Sequence, residues 1–219
     1  VKDLVVLIGA GAIGLAIAKR VGVGNRLLLA DLKMDNAIRA ATKLQDGGFE
    51  IETSSVDVSS RNSVGMLSNK AKEMGNISGI IHAAGVPPSN SSPELIMKVD
   101  LFGMALVLEI FGHTINYGGS CVVVGSQAGH KLSPLTPEQC NELATTPVDE
   151  LLDLPMLQAD QISDSYHAYQ IAKHGCTLRV MAEAIRWGER NARVNAVSPG
   201  IIETPLAENC PAHKLCTIL

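Results

Sequence analysis

Tyr169 and Lys173 stand four positions apart in the run Tyr169-Gln-Ile-Ala-Lys173. On a helix that spacing puts a phenol and an ammonium on one face, one turn from each other. An ammonium so close favours the phenolate and lowers a pKa that, near 10, is otherwise too high for proton transfer in neutral solution. The pair is therefore a candidate general acid/base. The same spacing also occurs on ordinary amphipathic helices, so its weight depends on what the rest of the chain brings to the same place.

The 219 residues suit one domain with a substantial core, and 46% apolar with 18% charged residues describes a soluble globular protein. A net charge of −4 gives no basic footprint for nucleic acid. No apolar run nears the ~18 residues that span a bilayer, so no membrane partner is expected. Val1-Lys2-Asp3 leads straight into a strand-like run, so no secretory leader is expected either. Cys121, Cys140, Cys176, Cys210 and Cys216 are odd in number and form no Cys-x-x-Cys pair, which favours reduced thiols and a cytoplasmic protein. Cys210, His213 and Cys216 have a spacing that could hold a metal, but a fourth ligand is missing and no metal is expected.

The elements that must position the pair alternate. Leu4–Ile8 is a continuous apolar run, as in a parallel strand buried on both faces. It enters Gly9-Ala-Gly11-Ala12-Ile13-Gly14, and Leu15–Arg20 reads as a helix. Glycines let the backbone approach a pyrophosphate, and the helix start at Ala12 and Ile13 offers unpaired N–H groups and a positive dipole end. The next strand, Arg26–Ala30, ends in Asp31, 22 positions after Gly9. A carboxylate there accepts the adenosine ribose 2′-OH and repels a 2′-phosphate, so NAD is favoured over NADP. Asp31 capping the next helix is the structural alternative.

Helical pattern over Asp35–Gln45, a strand over Phe49–Val56, a helix over Ser63–Met74 and a strand over Ile77–Ile81 follow. Asp57-Val58, after the third strand, could cap a helix or contact an adenine edge, and Leu32 beside Asp31 joins the same group. The fourth strand closes in His82-Ala83-Ala84-Gly85. One long helix is expected from about Glu94 to Ile115, then a strand Cys121–Val124 ending at Ser126, a helix Asp164–Trp187 and a sixth strand Arg193–Val197. Strands separated by helices imply an α/β fold with a doubly wound, Rossmann-type parallel sheet, and its ligands lie beyond the carboxyl ends of the strands. Gly9, Asp31, Asp57, Gly85 and Ser126 all fall at those ends. The proline-punctuated stretch at about 130–163 is expected as an insertion, either a lid over the cleft or a subunit contact. Residues 1–205 then form a single NAD-binding domain, and 206–219 an irregular tail.

The order of glycine turn, acid, Asp57-Val-Ser, Ala-Ala-Gly85, Ser126-Gln-Ala-Gly129, Tyr-x-x-x-Lys and Pro199-Gly200-Ile-Ile202-Glu-Thr204 resembles the short-chain dehydrogenase/reductase family. The Pro/Leu/Glu-rich insert is similar to that of the 3α-hydroxysteroid dehydrogenase/carbonyl reductase branch. The resemblance implies hydride transfer between NAD(H) and a secondary alcohol or ketone. Ser126 would bind the carbonyl oxygen, Tyr169 would exchange its proton, and Lys173 would lower the tyrosine pKa and hold the nicotinamide ribose. Pro199, Gly200, Ile202 and Thr204 would contact the carboxamide. It also implies a homodimer or homotetramer pairing through the two long helices, to which the apolar run Met104–Leu108 adds support.

Departures from the family pattern are specific. The glycine turn is one residue shorter than usual, and Asn-Asn-Ala-Gly is replaced by His82-Ala83-Ala84-Gly85. Asp100 stands where the family's proton relay has asparagine, and it is expected to bring negative charge close to Lys173. The family's final helices and seventh strand are not expected within the 219 residues. Two alternatives follow: a nucleotide-binding protein with little turnover, or an NAD-dependent epimerase or dehydratase.

Overall fold

The computed structural model of the chain describes residues 2–45 and 47–202. Leu4–Ile8 (β1) is apolar and buried at every position, as a strand covered on both faces must be. Around it Arg26–Asp31 (β2), Glu50–Ser55 (β3), Ile77–His82 (β4), Ser120–Val124 (β5) and Arg193–Val197 (β6) form one sheet of order β3-β2-β1-β4-β5-β6. Every neighbouring pair is parallel. The doubly wound arrangement expected from the sequence is therefore present, and the strand order reverses beside β1, where such sheets open a crevice. Among the described residues β6 is an edge.

Alternation along β1 divides the core. Val5 and Leu7 pack with Ala18 of Ala12–Val21 (α1) and with Ala40, Ala41 and Leu44 of Met34–Gln45 (α2). Leu4, Val6 and Ile8 face the larger layer, built from Arg61–Met74 (α3) and the helices after β4 and before β6. Ser60 accepts the Ser63 N–H at the start of α3, so it is Ser60 and not Asp57 that caps this helix.

The helix expected as one α-helical run from about Glu94 to Ile115 is three consecutive segments: Pro93–Ile96 (α4), a π-helical stretch Met97–Gly103, and Met104–Gly112 (α5). A π turn holds one residue more than an α turn. Here Met97, Asp100, Leu101 and Gly103 of that stretch are all buried. Gly103 lies against β3's exit, where a Cβ would come within 2.8 Å of Val58 Cγ2. Among the described residues two further α-helices lie beyond β5: Pro137–Thr145 (α6) in the insertion and Ser165–Gly188 (α7). The latter crosses the π-helical stretch closely, with Gly175 against Leu101.

The insertion is built into the core. Helix α6 opens on a capping box, Thr136 accepting from Gln139 N–H and Gln139 accepting from Thr136 N–H. Leu143, Val148, Leu151, Leu154 and Leu157 are buried in the larger hydrophobic cluster. Arg61 of α3 ties Glu109 of α5 to Asp149 of the insertion. Arg179 of α7, only 4% exposed, donates to the carbonyls of Leu143 (2.8 Å) and Thr146. The segment thus buttresses α5 and α7. With α3 and α7 it buries Met104–Leu108 completely within one chain, so the surplus apolar surface expected to favour pairing is not exposed.

Replacing Arg179 with Met should orphan the buried Leu143 carbonyl and the half-buried Thr146 carbonyl. At about 1–3 kcal/mol for each orphaned group, stability to urea falls by about 3 kcal/mol, and proteolysis begins within residues 130–163; an unchanged midpoint contradicts the buttress. His82, 2% exposed with neither ring nitrogen bonded, is held down to about 3 by burial and by the nearby Lys173 charge. A histidine lowered on folding gives stability that is complete above its unfolded pKa of about 6.5 and is lost as pH falls toward the folded value. Urea denaturation should therefore show about 2 kcal/mol less stability from this group at pH ~5 than at pH ~7, a slope that His82→Leu removes.

Candidate active site

The turn after β1 is shaped by two close approaches. Gly9 has φ +96°, and a Cβ there would lie 2.4 Å from Ala84 N; a Cβ at Gly14 would lie 2.3 Å from Gly9 O and 2.9 Å from Leu7 Cδ1. Gly11 precedes α1 without a side-chain cap, and nothing stands within 4 Å of where its Cβ would be. The first N–H groups of α1 therefore face an open cleft of about 860 Å³. Gly9, Gly11, Ala12, Ile13, Gly14, Asp31, Leu32, Asp57, Val58, Ala83, Ala84 and Gly85 all line it.

Asp31 organises one end. Its Oδ2 accepts Ala10 N–H of the glycine turn at 3.0 Å, while Oδ1 accepts Lys33 N–H at 3.1 Å and Asn36 Nδ2–H at 2.9 Å. The carboxylate is thus aimed by the turn and by α2, with acceptor capacity left for a hydroxyl. Asp57 Oδ1 accepts both N–H and hydroxyl of Ser59, closing the turn after β3. Sequence reasoning missed Asn36, Arg39 and Lys43, which line this end from α2. Their helical spacing from Met34 onward, toward the carboxyl edge of the sheet, was the available signal.

At the other end the β4 exit meets α7. Asp100, 1% exposed, accepts Val86 N–H on Oδ1 at 2.8 Å and lies 3.0 Å from Lys173 Nζ through Oδ2. Oδ2 and the ammonium thus form a buried ion pair. Gly85 leaves room for it: a Cβ would stand 3.1 Å from Oδ2 and 3.4 Å from Nζ. Lys173 Nζ is 5.4 Å from the centre of the Tyr169 ring, so the two residues do share a face. Burial disfavours the Lys173 ammonium, but Asp100, with Cys176 and Tyr169, outweighs it and holds the lysine above its ordinary value.

The expected lowering of the tyrosine pKa does not result. Burial raises the Tyr169 phenol above its ordinary value; Lys173 and Ser126 pull it down, while the Asp100 carboxylate pushes it up. The lysine effect is present but outweighed, because the site is dry and the ammonium already faces a carboxylate.

Ser126 lies just beyond β5 with its hydroxyl accepting Ala128 N–H at 3.1 Å. Gly129 presses this turn onto α7, since a Cβ there would meet His174 N at 2.6 Å. The β6 exit is laced to the same turn by Gln127 N–H to Pro199 O (2.9 Å), and Gly200 packs toward Gln127. Ser126, Tyr169, Lys173 and Pro199–Gly200 therefore gather beyond the cleft's Gly85–Val86 end without lining it; Ile202 is 41% exposed nearby in sequence, and Thr204 lies outside the described residues. The Cys210, His213 and Cys216 cluster also lies outside them. Cys121, Cys140 and Cys176 are free thiols, and no described helix is long and apolar enough to cross a membrane.

Open glycine cradle, unpaired helix N-terminus and aimed carboxylate fit a dinucleotide. A family model described as short chain dehydrogenase matches residues 3–138, and one described as enoyl-(acyl carrier protein) reductase matches 138–217. The chain is 36% identical over 206 residues to short-chain dehydrogenase/reductase bsc3 of Alternaria brassicicola, covering 94% of this chain and 75% of that protein. It is 26% identical over 144 residues to 3-alpha-hydroxysteroid dehydrogenase/carbonyl reductase of Comamonas testosteroni, covering 63% and 54%. That branch is one of several among the relatives, which include a levodione reductase and a galactitol 2-dehydrogenase. Among solved structures, a variant of actinorhodin polyketide ketoreductase with NADPH superposes with a TM-score of 0.71 at 22% identity, covering 97% of this chain and 75% of that one. The protein is a member of the short-chain dehydrogenase/reductase family, an oxidoreductase built on a nicotinamide dinucleotide site.

Proposed function

We propose that the chain interconverts a secondary alcohol and a ketone with NAD(H), Tyr169 acting as the general acid/base. The observation that carries this reading is the convergence of Ser126, Tyr169 and Lys173 where the β4 and β5 exits touch α7, beyond one end of a cleft whose other end Asp31 lines. Bound there, a nicotinamide would supply or accept the hydride. Gly9 and Gly11–Gly14 would hold its pyrophosphate, Asp31 and Leu32 the adenosine ribose, and Asp57 and Val58 the adenine. Ala83–Gly85 and Lys173 would serve the ribose nearer the reaction, and Pro199, Gly200, Ile202 and Thr204 the carboxamide.

The residues' own work is proton handling. Ser126 hydrogen-bonds the carbonyl oxygen, and Tyr169 passes it a proton as charge develops there. A phenol held above its ordinary pKa is protonated at neutral pH, which suits the acid role. Asp31 supports NAD, because its carboxylate opposes a 2′-phosphate; Arg39 and Lys43 nearby soften that opposition. We place the protein in the cytoplasm, consistent with its free thiols. Should it form a homodimer or homotetramer, Met181 and Ile185 are the exposed apolar residues that α7 offers.

Assayed with NADH against a panel of small ketones and steroids, Tyr169→Phe should lose turnover by at least ~100-fold, the scale of general acid catalysis, while NADH affinity is kept. Unchanged turnover in that variant would sink the assignment. Binding titrations should give a lower Kd for NADH than for NADPH in the unaltered protein, and Asp31→Ser should narrow or invert the difference; equal affinities in both proteins would remove Asp31 as the selecting group.

A further inference from the structure

A tyrosine–lysine acid/base needs one positive charge beside the phenol, and this site adds a buried negative one. Asp100 is fixed from every side: Val86 N–H holds Oδ1, the π-helical turn carries its backbone inward, its carbonyl accepts Cys176 Sγ–H at 3.2 Å, and Gly85 makes room for Oδ2. The groups that act on Lys173 are few. From α7 they are Tyr169 and Cys176, whose thiol is pushed up to about 12 by burial and is neutral. From β4 it is His82, neutral because it is buried. From the π-helical stretch it is Asp100, 3.0 Å away, and from the β5 exit the uncharged Ser126 hydroxyl acts on the phenol itself. Burial raises the Asp100 carboxyl above its ordinary value while the Lys173 charge and Val86 N–H lower it, and the 3.0 Å pairing with the ammonium makes it the one acid among them that meets Lys173 as a carboxylate.

We propose that Asp100 is a positioning residue that commits the Lys173 charge to a carboxylate, so that Tyr169 keeps its proton in neutral solution. The site then stands ready to reduce a ketone, and the phenolate that alcohol oxidation requires forms only in alkaline solution. The inference rests on Tyr169 being the acid/base. In reduction the phenol O–H breaks and its proton joins the carbonyl oxygen, which takes the C=O electron pair. A bound reduced nicotinamide would supply the hydride of the new C–H bond and be oxidised in doing so, and solvent returns a proton to the phenolate. The overall equilibrium belongs to substrate and cofactor. Asp100 moves only the pH at which each direction finds its enzyme form.

Asp100→Asn is the test, because the amide keeps an acceptor for Val86 N–H and removes the charge. Lys173 then has only the phenolate as counter-charge. Ultraviolet phenolate absorbance, taken as the difference from the same background carrying Tyr169→Phe, isolates Tyr169 from Tyr117 and Tyr166. The midpoint should fall by about 1 pH unit or more in Asp100→Asn, a tenfold or greater loss of proton affinity. The alkaline limb of NAD-linked cyclohexanol oxidation should move to lower pH by a similar amount. A phenol midpoint that stays or rises overturns the proposal, and a limb that stays while the phenol moves overturns its directional part. Asp100→Ser replaces the amide if that variant fails to fold. A moved midpoint with Tyr169→Phe still active would instead condemn the acid/base reading, so the two failures are distinguishable.

Discussion

An ammonium taken out of water must find negative charge or give up its proton. Lys173 is 6% exposed, and the carboxylate that meets it, Asp100, is 1% exposed and 3.0 Å away. Much of the local architecture serves that meeting. The π turn at Met97–Gly103 brings Asp100 inward, the absence of a side chain at Gly85 lets the pair close, and Gly175 allows α7 to lie against Leu101. Removing one member of such a pair typically costs about 3–5 kcal/mol because the other is left buried and alone. The pair therefore matters for folding as well as for the site.

The rest of the site follows from a parallel sheet that is buried on both faces. Such a sheet leaves its carboxyl edge as the place where loops can gather around a ligand. Glycine sets the separations there: Gly9 and Gly14 bring β1, α1 and the β4 exit together, and Gly129 brings the β5 exit onto α7. The insertion's leucines and the Arg179 and Arg61 contacts fasten it behind α5 and α7, where it supports the helix that carries Tyr169 and Lys173.

The strands and the residues at their ends were legible because apolar runs, glycine turns and an acid at fixed spacing report local geometry directly. Gly9 to Gly14, Asp31 and Ala83 to Gly85 were found this way, and they do line the cleft. What escaped depends on distant contacts. A π turn has no distinct hydrophobic period, so Met97–Gly103 reads as ordinary helix. Arg179 anchors the insertion through backbone carbonyls, which leave no trace in side-chain pattern. The Tyr169 shift is the clearest case: helical spacing correctly paired the phenol with Lys173, but the sign depends on burial, which spacing cannot show. Asp100 was identified as a departure from the family pattern, and only the fold shows that it touches Lys173 directly.

The most direct test is a crystal structure of the protein with NADH bound. The account predicts the dinucleotide in the cleft from Asp31 to Gly85, with Lys173 still within ion-pair distance of Asp100, about 3–4 Å, while it reaches the ribose. Lys173 drawn away from Asp100 onto the cofactor, with the carboxylate released to water, would contradict it.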